Sequence, residues 1–303
     1  MHHYDPWRFD RRVIWDQVLL PLYALRSGAR LLHCTSGSVP LFASLPIVVT
    51  VHDVAWLRGI QSHAPSYARW YFGPFSAQRW RRARRLIVDS HFTRDELLGL
   101  VAIDPARVVV VHPGVDSAFM HVVRRPGPSP VVLCVGTIER RKNAAVVIEA
   151  LASIPGARLV CAGPPTSYQA ECESLARRLG ISDRVTFSGY LEPAELLELY
   201  ATATLAVAPS RYEGFGYAAA QALCAGIPLL AARSSSLIEV VQDDATLLAP
   251  DEPNAWADAM RTIIGAQSDA NQRAADARPG ATARFAWQRA AAETAAVYRG
   301  AVY

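Results

Sequence analysis

The chain has 303 residues, of which 51% are apolar, and a formal net charge of +4. This length and composition exclude a disordered or fibrous protein and predict about two globular domains. No run of about 18 uninterrupted apolar residues occurs, so the sequence predicts no membrane-spanning helix.

The N-terminus and the cysteines indicate the cellular compartment. The stretch MHHYDPWRFDRR lacks the apolar core of a signal peptide, so we expect the protein to stay in the cytosol. The five cysteines are scattered without a C-x-x-C pair. Four of them have apolar neighbours and are interpreted as small core residues, not as zinc ligands or disulfide partners.

The first part of the chain predicts four strands separated by helical stretches rich in Arg and Trp. The strands are the apolar runs ARLLHCT, PIVVTVHD, RRLIVDS and ARVVVVHPG. The segment RRPGPSP (124–130) then interrupts all periodicity and is interpreted as an interdomain linker. We therefore predict an N-terminal domain over residues 1–125.

The second part alternates strands and amphipathic helices. Its predicted strands are VVLCVGT, ARLVCAG, RVTFSGY, LAVAPS and IPLLAA. This alternation predicts an α/β domain over residues 126–285, with a parallel sheet covered by helices on both faces. ATARFAWQRAAAETAAVYRGAVY (281–303) is predicted as one amphipathic helix, whose residues 286–303 would return toward the N-terminal domain.

Open parallel sheets bind ligands at the carboxyl ends of their strands, and the loop VGTIERRKN lies at such an end. Gly136 allows a sharp turn there, and Arg140, Arg141 and Lys142 follow at a predicted helix start. Lys142 is the only lysine of the chain. Cations at a helix N-terminus suit a diphosphate, although a solvated basic loop explains them equally well.

The loop PSRYEGFGYAAAQ also follows a predicted strand. The turn Gly214-Phe215-Gly216 would let a ligand approach backbone N–H groups at a helix start. Glu213 could accept hydrogen bonds from sugar hydroxyls, and Gln221, two turns into the helix, could reach a ribose. Alternatively, Glu213 is a first-turn acid that favours the helix dipole and Gln221 is a surface residue.

The longer string SRYEGFGYAAAQALCAGIPLLAARSSSLIEVV resembles the signature of retaining glycosyltransferases of family 4. VGTIERRKN, CAGPP, FSGYLEPAELLELYATATLAVAPS and VTVHDV match that family in order and spacing, so the resemblance covers nearly the whole chain. It implies the GT-B fold, in which two Rossmann-like domains with parallel sheets face across a cleft. It is closest to members that build O-antigen, capsule or exopolysaccharide units, often mannosyltransferases.

The resemblance also assigns roles to the second loop. Glu213 would contact the donor sugar, beside the N–H groups of Gly214, Phe215 and Gly216. The second Glu of the family pattern, which holds the ribose hydroxyls, is Gln221 here. Because Gln keeps an acceptor oxygen but loses the charge, we expect weaker or altered nucleotide binding.

The resemblance further matches Arg141 and Lys142 to the family's diphosphate clamp, next to Gly136. Thr137 stands where a paired Arg is common, so Arg141 would substitute for it. Tyr190 and Leu191 fall where the nucleotide base rests. Tyr190 could stack on the base or, alternatively, belong to the core.

His52, in VTVHDV, resembles the family histidine near the donor sugar and its phosphate. Taken alone, a histidine at a strand end is more often structural. Asp53 beside it is interpreted as a helix cap or an orienting partner. His112 and Asp116 are interpreted as turn formers.

The resemblance implies transfer with retention and without an enzyme nucleophile, because the leaving diphosphate helps to deprotonate the acceptor. It implies no metal and no cofactor besides the nucleotide-diphosphate sugar, and the sequence has no D-x-D motif. The protein would position the substrates and stabilise charge.

The acceptor side is less defined. RWRRARR (79–85), with several aromatic residues before it, suits an anionic membrane surface or a lipid-diphosphate acceptor, although a solvated helix face is an alternative. No nucleic-acid motif accompanies it. The family's first strand and Gly-rich loop have no counterpart, so either the reading frame begins late or the N-terminal domain is shortened.

We therefore predict a retaining glycosyltransferase, with Glu213 and His52 as catalytic residues, at the inner face of the membrane or free in the cytosol. It would transfer a sugar, mannose being a candidate, from a nucleotide diphosphate to a glycan or lipid-linked acceptor in surface polysaccharide synthesis. The alternative is a catalytically degenerate GT-B protein that binds a nucleotide-sugar or a partner enzyme. The donor base and the oligomeric state stay open.

Overall fold

The structure, a computed structural model, describes residues 6–60 and 66–302. The chain divides into two compact units. The C-terminal unit comprises residues 114–287, and the N-terminal unit comprises the described residues up to 113 and from 288 onward. The first five residues of the stretch analysed for a signal peptide lie outside the described part.

The division lies before the proline-rich segment 124–130. Residues 114–123 belong to the C-terminal unit because Val115, Phe119 and Val122 are buried in its core. The proline-rich segment is therefore part of the C-terminal unit and does not connect the two units.

The N-terminal unit contains a parallel sheet of four strands in sequential order. They are β1 (Leu32–Cys34), β2 (Ile47–Val51), β3 (Arg85–Val88) and β4 (Val108–Val110). All four lie inside the predicted apolar runs. Every residue of β2 is buried, as expected for a parallel strand covered on both faces.

Short helices surround this sheet, two of them continued by π-helical turns. They are α1 (Pro6–Ile14), the turn Trp15–Leu19, α2 (Leu20–Arg26), α3 (Ser66–Trp70), the turn Tyr71–Phe75, α4 (Ser76–Trp80) and α5 (His91–Leu100). α5 begins where the Ser90 side chain accepts a hydrogen bond from the Thr93 amide.

The C-terminal unit has a six-stranded parallel sheet in the order β10-β9-β8-β5-β6-β7. The strands are β5 (Val131–Val135), β6 (Arg158–Ala162), β7 (Val185–Gly189), β8 (Leu205–Ala208), β9 (Leu229–Ala232) and β10 (Thr246–Leu248). From β5 the chain first builds toward β7 and then restarts at β8 on the other side of β5. This reversal makes the carboxyl ends of β5 and β8 a topological switch point, where ligands bind in such sheets.

Helices connect these strands. They are α6 (Ser117–Met120), α7 (Ala144–Ala152), α8 (Tyr168–Arg178), α9 (Pro193–Thr202), α10 (Tyr217–Ala225), α11 (Leu237–Val241), α12 (Pro253–Gly265) and α13 (Gln267–Arg284). Two parallel α/β sheets of Rossmann type confirm the predicted fold class. The five cysteines are buried thiols, as predicted.

The helix predicted over 281–303 is wrong at its start. Residues 281–284 are the last turn of α13, and a new helix, α14 (Trp287–Val302), follows. The break occurs at the fully buried Phe285, whose carbonyl accepts a hydrogen bond from the Val115 amide. α14 packs Ala290, Val297 and Ala301 on the sheet of the N-terminal unit.

Among the described residues, no helix combines the length and the apolar character needed to cross a membrane.

Candidate functional site

The loop after β5 begins with a backbone turn that only glycine makes easily. Gly136 has φ +136° and donates its N–H to the Ala162 carbonyl at the end of β6. A Cβ on Gly163 would lie 2.1 Å from the Gly136 carbonyl oxygen. The two loops therefore touch through backbone alone, which fixes the direction of the basic segment that follows.

The sequence analysis predicted that the basic segment starts a helix, and this prediction is wrong. Arg140–Lys142 form a single 3₁₀ turn, and Asn143, with φ +57°, separates it from α7. Asn143 is fully buried and its side-chain amide donates to the Pro250 carbonyl at 2.7 Å. Arg140 pairs with Glu171 and is largely exposed. Only Arg141 and Lys142 of the three cations face the switch point.

Glu213, in the loop after β8, is the carboxylate that these two cations surround. Lys142 Nζ donates to Glu213 Oε1 at 2.5 Å, and Arg141 Nη1 donates to Glu213 Oε2 at 3.2 Å. Ser210 Oγ also donates to Oε1, at 2.7 Å. A second acid, Glu139, binds Arg141 Nη2 at 2.7 Å. The lone lysine and the glutamate that the sequence analysis selected therefore lie in direct contact.

This cluster keeps Glu213 ionised. Burial by itself would raise the pKa of its carboxyl, but the charges of Lys142 and Arg141 and the hydrogen bonds from Lys142 and Ser210 lower it further than burial raises it. The net result is a lowered pKa. The side chains of Glu213, Lys142 and Arg141 are 10%, 19% and 20% exposed. They form a compact charged group with little contact with solvent.

The start of α10 completes the pocket. Gly216 is its N-cap with φ +99°, and it provides no side-chain cap. The buried Ser236 hydroxyl bridges the Glu213 and Phe215 carbonyls at 2.9 and 2.8 Å. Phe215 itself is buried against Phe285, so only its backbone is available to a ligand. The pocket is lined by Gly136, Lys142, Ser210, Glu213 and Gly216, among others.

Gln221 lies in the second turn of α10 and is half-buried, so the interpretation as a surface residue is wrong. Its Oε1 accepts a hydrogen bond from the Tyr200 hydroxyl at 3.3 Å. Tyr200 is fully buried, which raises the pKa of its phenol. The acceptor oxygen of Gln221 is thus already engaged.

Tyr190 and Leu191 directly follow β7. Tyr190 is 71% exposed, which contradicts the alternative that it belongs to the core and leaves its ring free to stack on a ligand. Leu191 is half-buried against the core of the C-terminal unit.

His52 directly follows β2 in the N-terminal unit. Its Nδ1 lies 2.7 Å from Asp89 Oδ2, and its Nε2 lies 2.8 Å from the Thr35 carbonyl oxygen. Asp53 accepts the Ala55 amide, so it caps a turn and is not the orienting partner. The sequence analysis missed Asp89, although an acid directly after the apolar run RRLIV is a signal that could have shown it.

Two family models match the chain. One, glycosyl transferases group 1, matches residues 117–279, and the other, glycosyltransferase family 4, matches residues 3–119. The chain belongs to the group 1 glycosyl transferases. The sequence resemblance is thereby confirmed at the level of the group 1 glycosyl transferases.

Curated relatives in this family include two mycobacterial D-inositol 3-phosphate glycosyltransferases. The one from Mycolicibacterium paratuberculosis is 33% identical over 277 residues, which are 86% of this chain and 62% of the relative. The one from Mycobacterium tuberculosis is 37% identical over 239 residues, 73% of this chain and 49% of the relative. The chain thus spans less than two thirds of the length of these relatives.

Solved structures of glycosyltransferases share the fold. Sucrose-phosphate synthase from Thermosynechococcus elongatus superposes with a TM-score of 0.77 at 22% identity, covering 92% of this chain and 75% of that one. HepE from Anabaena, in complex with UDP and glucose, gives 0.76 at 19% identity and covers 92% and 80%. The GT-B fold class is therefore confirmed for this group 1 glycosyl transferase.

The basic and aromatic segment of this group 1 glycosyl transferase is only partly a surface. Trp80 and Tyr71 are buried, and Arg79 stacks on Phe75 with its guanidinium carbon 3.6 Å from the ring centre. The exposed cations of the segment are Arg81, Arg82 and Arg84. Within residues 6–60 and 66–302, no three metal-ligating side chains lie close enough together to hold a metal ion.

Proposed function

We propose that this protein binds a nucleotide-diphosphate sugar in its C-terminal unit and transfers the sugar, with retention, to a glycan or lipid-linked acceptor. The observation that carries the proposal is the contact of Lys142 and Arg141 with Glu213 at the switch point. The two cations and the helix start suit a diphosphate, and the buried carboxylate suits the hydroxyls of an attached sugar.

The site's charges suggest how the donor binds. Arg141 and Lys142 are neutralised by Glu213 in the structure, and Arg141 also by Glu139. A diphosphate offers more acceptor oxygens and more charge than one carboxylate, so it would replace Glu213 as the partner of both cations. Glu213 would then be free to accept hydrogen bonds from hydroxyls of the sugar. In this proposal the donor exchanges one ionic contact of the cations for another, and the hydroxyls of Ser210 and of the sugar solvate the carboxylate that gives up its cations.

In the transfer step, the bond between the anomeric carbon and the diphosphate oxygen breaks, and a bond to the acceptor oxygen forms on the same face. The acceptor proton passes to the leaving diphosphate. Lys142, Arg141 and the N-terminus of α10 stabilise the charge that develops on the diphosphate. No nucleophilic side chain and no cofactor beyond the donor is required.

The substrates are proposed more broadly. HepE was solved with UDP and glucose, and the curated relatives are named for D-inositol 3-phosphate. A uridine or guanosine diphosphate donor, a hexose such as mannose, and an acceptor that carries phosphate are therefore the first to test. A lipid-linked acceptor would place the protein at the inner membrane face, where Arg81, Arg82 and Arg84 would meet anionic headgroups.

A catalytically degenerate protein is not favoured. Loss of function would remove selection for the buried charge cluster. Such a cluster is costly to keep, because burying it desolvates three charged groups. The cluster is nevertheless complete, and Glu213 remains ionised within it.

The test is a panel of GDP-, UDP-, dTDP- and ADP-sugars, with released nucleotide measured with and without acceptors. We expect turnover with at least one donor, and a loss of about a hundredfold or more in Glu213→Ala. The matched control is Glu171→Ala, which removes an exposed acid of the same unit that pairs only with Arg140 among the ion pairs of the described residues. Nucleotide binding without turnover of any donor would contradict the proposal and favour the degenerate alternative.

A further inference from the structure

His52 makes hydrogen bonds through both ring nitrogens, and both partners are acceptors. Nδ1 lies 2.7 Å from a carboxylate oxygen of Asp89, and Nε2 lies 2.8 Å from the Thr35 carbonyl. A neutral imidazole has a single N–H and can donate to only one of them. Both bonds form together only when the ring carries two protons. The geometry is therefore that of an imidazolium ion.

Strand register brings these groups together. Val51 of β2 pairs with Val88 of β3, so the next residue on each strand, His52 and Asp89, emerge side by side. Asp89 is buried at 7% exposure, whereas the His52 side chain is 60% exposed. The acid thus lies beneath the ring and the ring lies at the surface.

Among the described residues, Asp53 and His33 also interact electrostatically with the ring. His33 bonds the Tyr298 hydroxyl at 2.6 Å and Thr50 Oγ1 at 2.8 Å. Burial, and then the charge of His52, lowers the pKa of His33. The pKa values of the two histidines therefore shift in opposite directions, which favours the neutral form of His33 and the charged form of His52.

We propose that Asp89 is a positioning residue that fixes the His52 ring and maintains its positive charge. His52 would then present a cation to a negatively charged part of the substrate, and would not act as a general base. A ligand oxygen would compete with the Thr35 carbonyl for the Nε2 proton, while the Nδ1 proton stays on Asp89. The role toward substrate rests on the proposed function, whereas the charge state does not.

The pH dependence follows from the direction of the shift. The hydrogen bond to Asp89 is the largest influence on the pKa of His52 and raises it, burial opposes it, and the net pKa is raised. The cation is complete below the ordinary imidazole value and disappears as the pH rises through the higher pKa of the folded protein. Activity that needs the cation therefore declines at a higher pH than it would with an ordinary imidazole, and removal of Asp89 moves that decline to lower pH.

The charge state is tested by NMR titration of the histidine ring signals in the full chain, with His52 identified by the signal missing in His52→Gln. We expect a midpoint above the ordinary value of 6.5, a lower midpoint in Asp89→Asn, and a smaller change in the matched control Asp53→Asn. A wild-type midpoint at or below the ordinary value would overturn the proposal, and so would an unchanged midpoint in a folded Asp89→Asn.

The positioning role is tested by turnover against pH, using the donor that the wild type accepts. Asp89→Asn should lose activity by about tenfold or more at a pH between the wild-type and variant NMR midpoints and less at a pH below both midpoints, and Asp89→Glu should recover part of it. An equal loss at every pH would mean a merely structural role and overturn the assignment. If the wild type accepts no donor, the proposed function fails, and the NMR titration still decides the charge state of His52.

Discussion

Each unit places one buried carboxylate at the carboxyl end of its parallel sheet, but the two carboxylates are paired differently. Glu213 in the C-terminal unit contacts two cations that are themselves mostly buried. Asp89 in the N-terminal unit lies beneath a single imidazole that is 60% exposed. In the first arrangement the charges are paired and mostly buried, so a ligand must replace one of the partners to reach them. In the second arrangement the charged imidazole lies at the surface.

The two units also differ in how they bury apolar surface. Twelve of the eighteen large apolar side chains that are exposed in the described part belong to the N-terminal unit. Seven of them lie between residues 14 and 25, on α1, α2 and the turn between them. The opposite side of this segment includes polar groups, because Asp16 is buried and Gln17 donates to Tyr71 and Val39. The C-terminal unit is thus the more completely packed of the two.

The largest expected effect comes from replacing the two buried carboxylates by amides. Glu213→Gln leaves two mostly buried cations without their shared partner and should destabilise the C-terminal unit by about 3–5 kcal/mol. Asp89→Asn should cost about 1 kcal/mol in the N-terminal unit, because water still solvates the imidazole. Hydrogen exchange of the β8 and β3 amides measures each unit separately. Equal losses in the two variants would show that burial of the partner does not matter.

The pH dependence of these two losses should have opposite signs. The pKa of Glu213 is lowered, so the stability that Glu213 contributes is present above the ordinary carboxyl value and disappears as the pH falls through the folded value. The pKa of His52 is raised, so the contribution of its pair with Asp89 disappears as the pH rises. Exchange measured at acidic and alkaline pH should therefore bring Glu213→Gln close to wild type in acid and Asp89→Asn close to wild type in alkali. The same trend in both variants would contradict the assigned charges.

The next effect tests the tighter packing of the C-terminal unit. Gly163→Ala places a Cβ 2.1 Å from a backbone oxygen that cannot move aside, at φ +157°, and should cost about 2–3 kcal/mol. The matched change in the N-terminal unit is Gly59→Ala, at φ +71° with no neighbour within 4 Å, which should cost about 1 kcal/mol. Thermal unfolding and nucleotide binding measure both variants. If Gly59→Ala proves the more harmful, the contact between the β5 and β6 loops does not control the site.

The contact between Lys142 and Glu213 could be predicted from the sequence because it depends on topology alone. Each residue follows a strand, and the strand order of this sheet type makes β5 and β8 neighbours. Lys142 was also conspicuous as the only lysine. Local pattern and family resemblance therefore sufficed for this half of the site.

Asp89 and the direction of Arg140 could not be predicted in the same way. Asp89 reaches His52 only through the register of β2 on β3, which no residue in either strand specifies by itself. Arg140 turns away because the 3₁₀ turn points it at Glu171, a residue of α8. The segment 14–25 shows the same limit, since Asp16 is buried while seven large apolar side chains are exposed, whereas apolar periodicity would place those side chains against the core. In each case tertiary contacts outweigh the local pattern.

The smallest expected effect concerns Gln221, a neutral amide in the second turn of α10, the helix whose start lines the pocket. The Tyr200 hydroxyl already donates to its Oε1, and a carboxylate would keep that bond and add a charged acceptor. A hydrogen bond to a charged group contributes about 1–2 kcal/mol more than a neutral one, so Gln221→Glu should bind UDP or GDP about tenfold more tightly.

Titration calorimetry of Gln221→Glu should be compared with that of Gln78→Glu, which adds the same charge at an exposed position of the N-terminal unit. Nucleotide hydroxyls donate to a carboxylate, whereas the added charge by itself repels the diphosphate. A gain in affinity only in Gln221→Glu therefore means that this position of α10 contacts hydroxyl groups of the nucleotide. A loss of affinity there would instead place residue 221 beside the phosphates, because at that distance repulsion between like charges exceeds the benefit of a stronger acceptor.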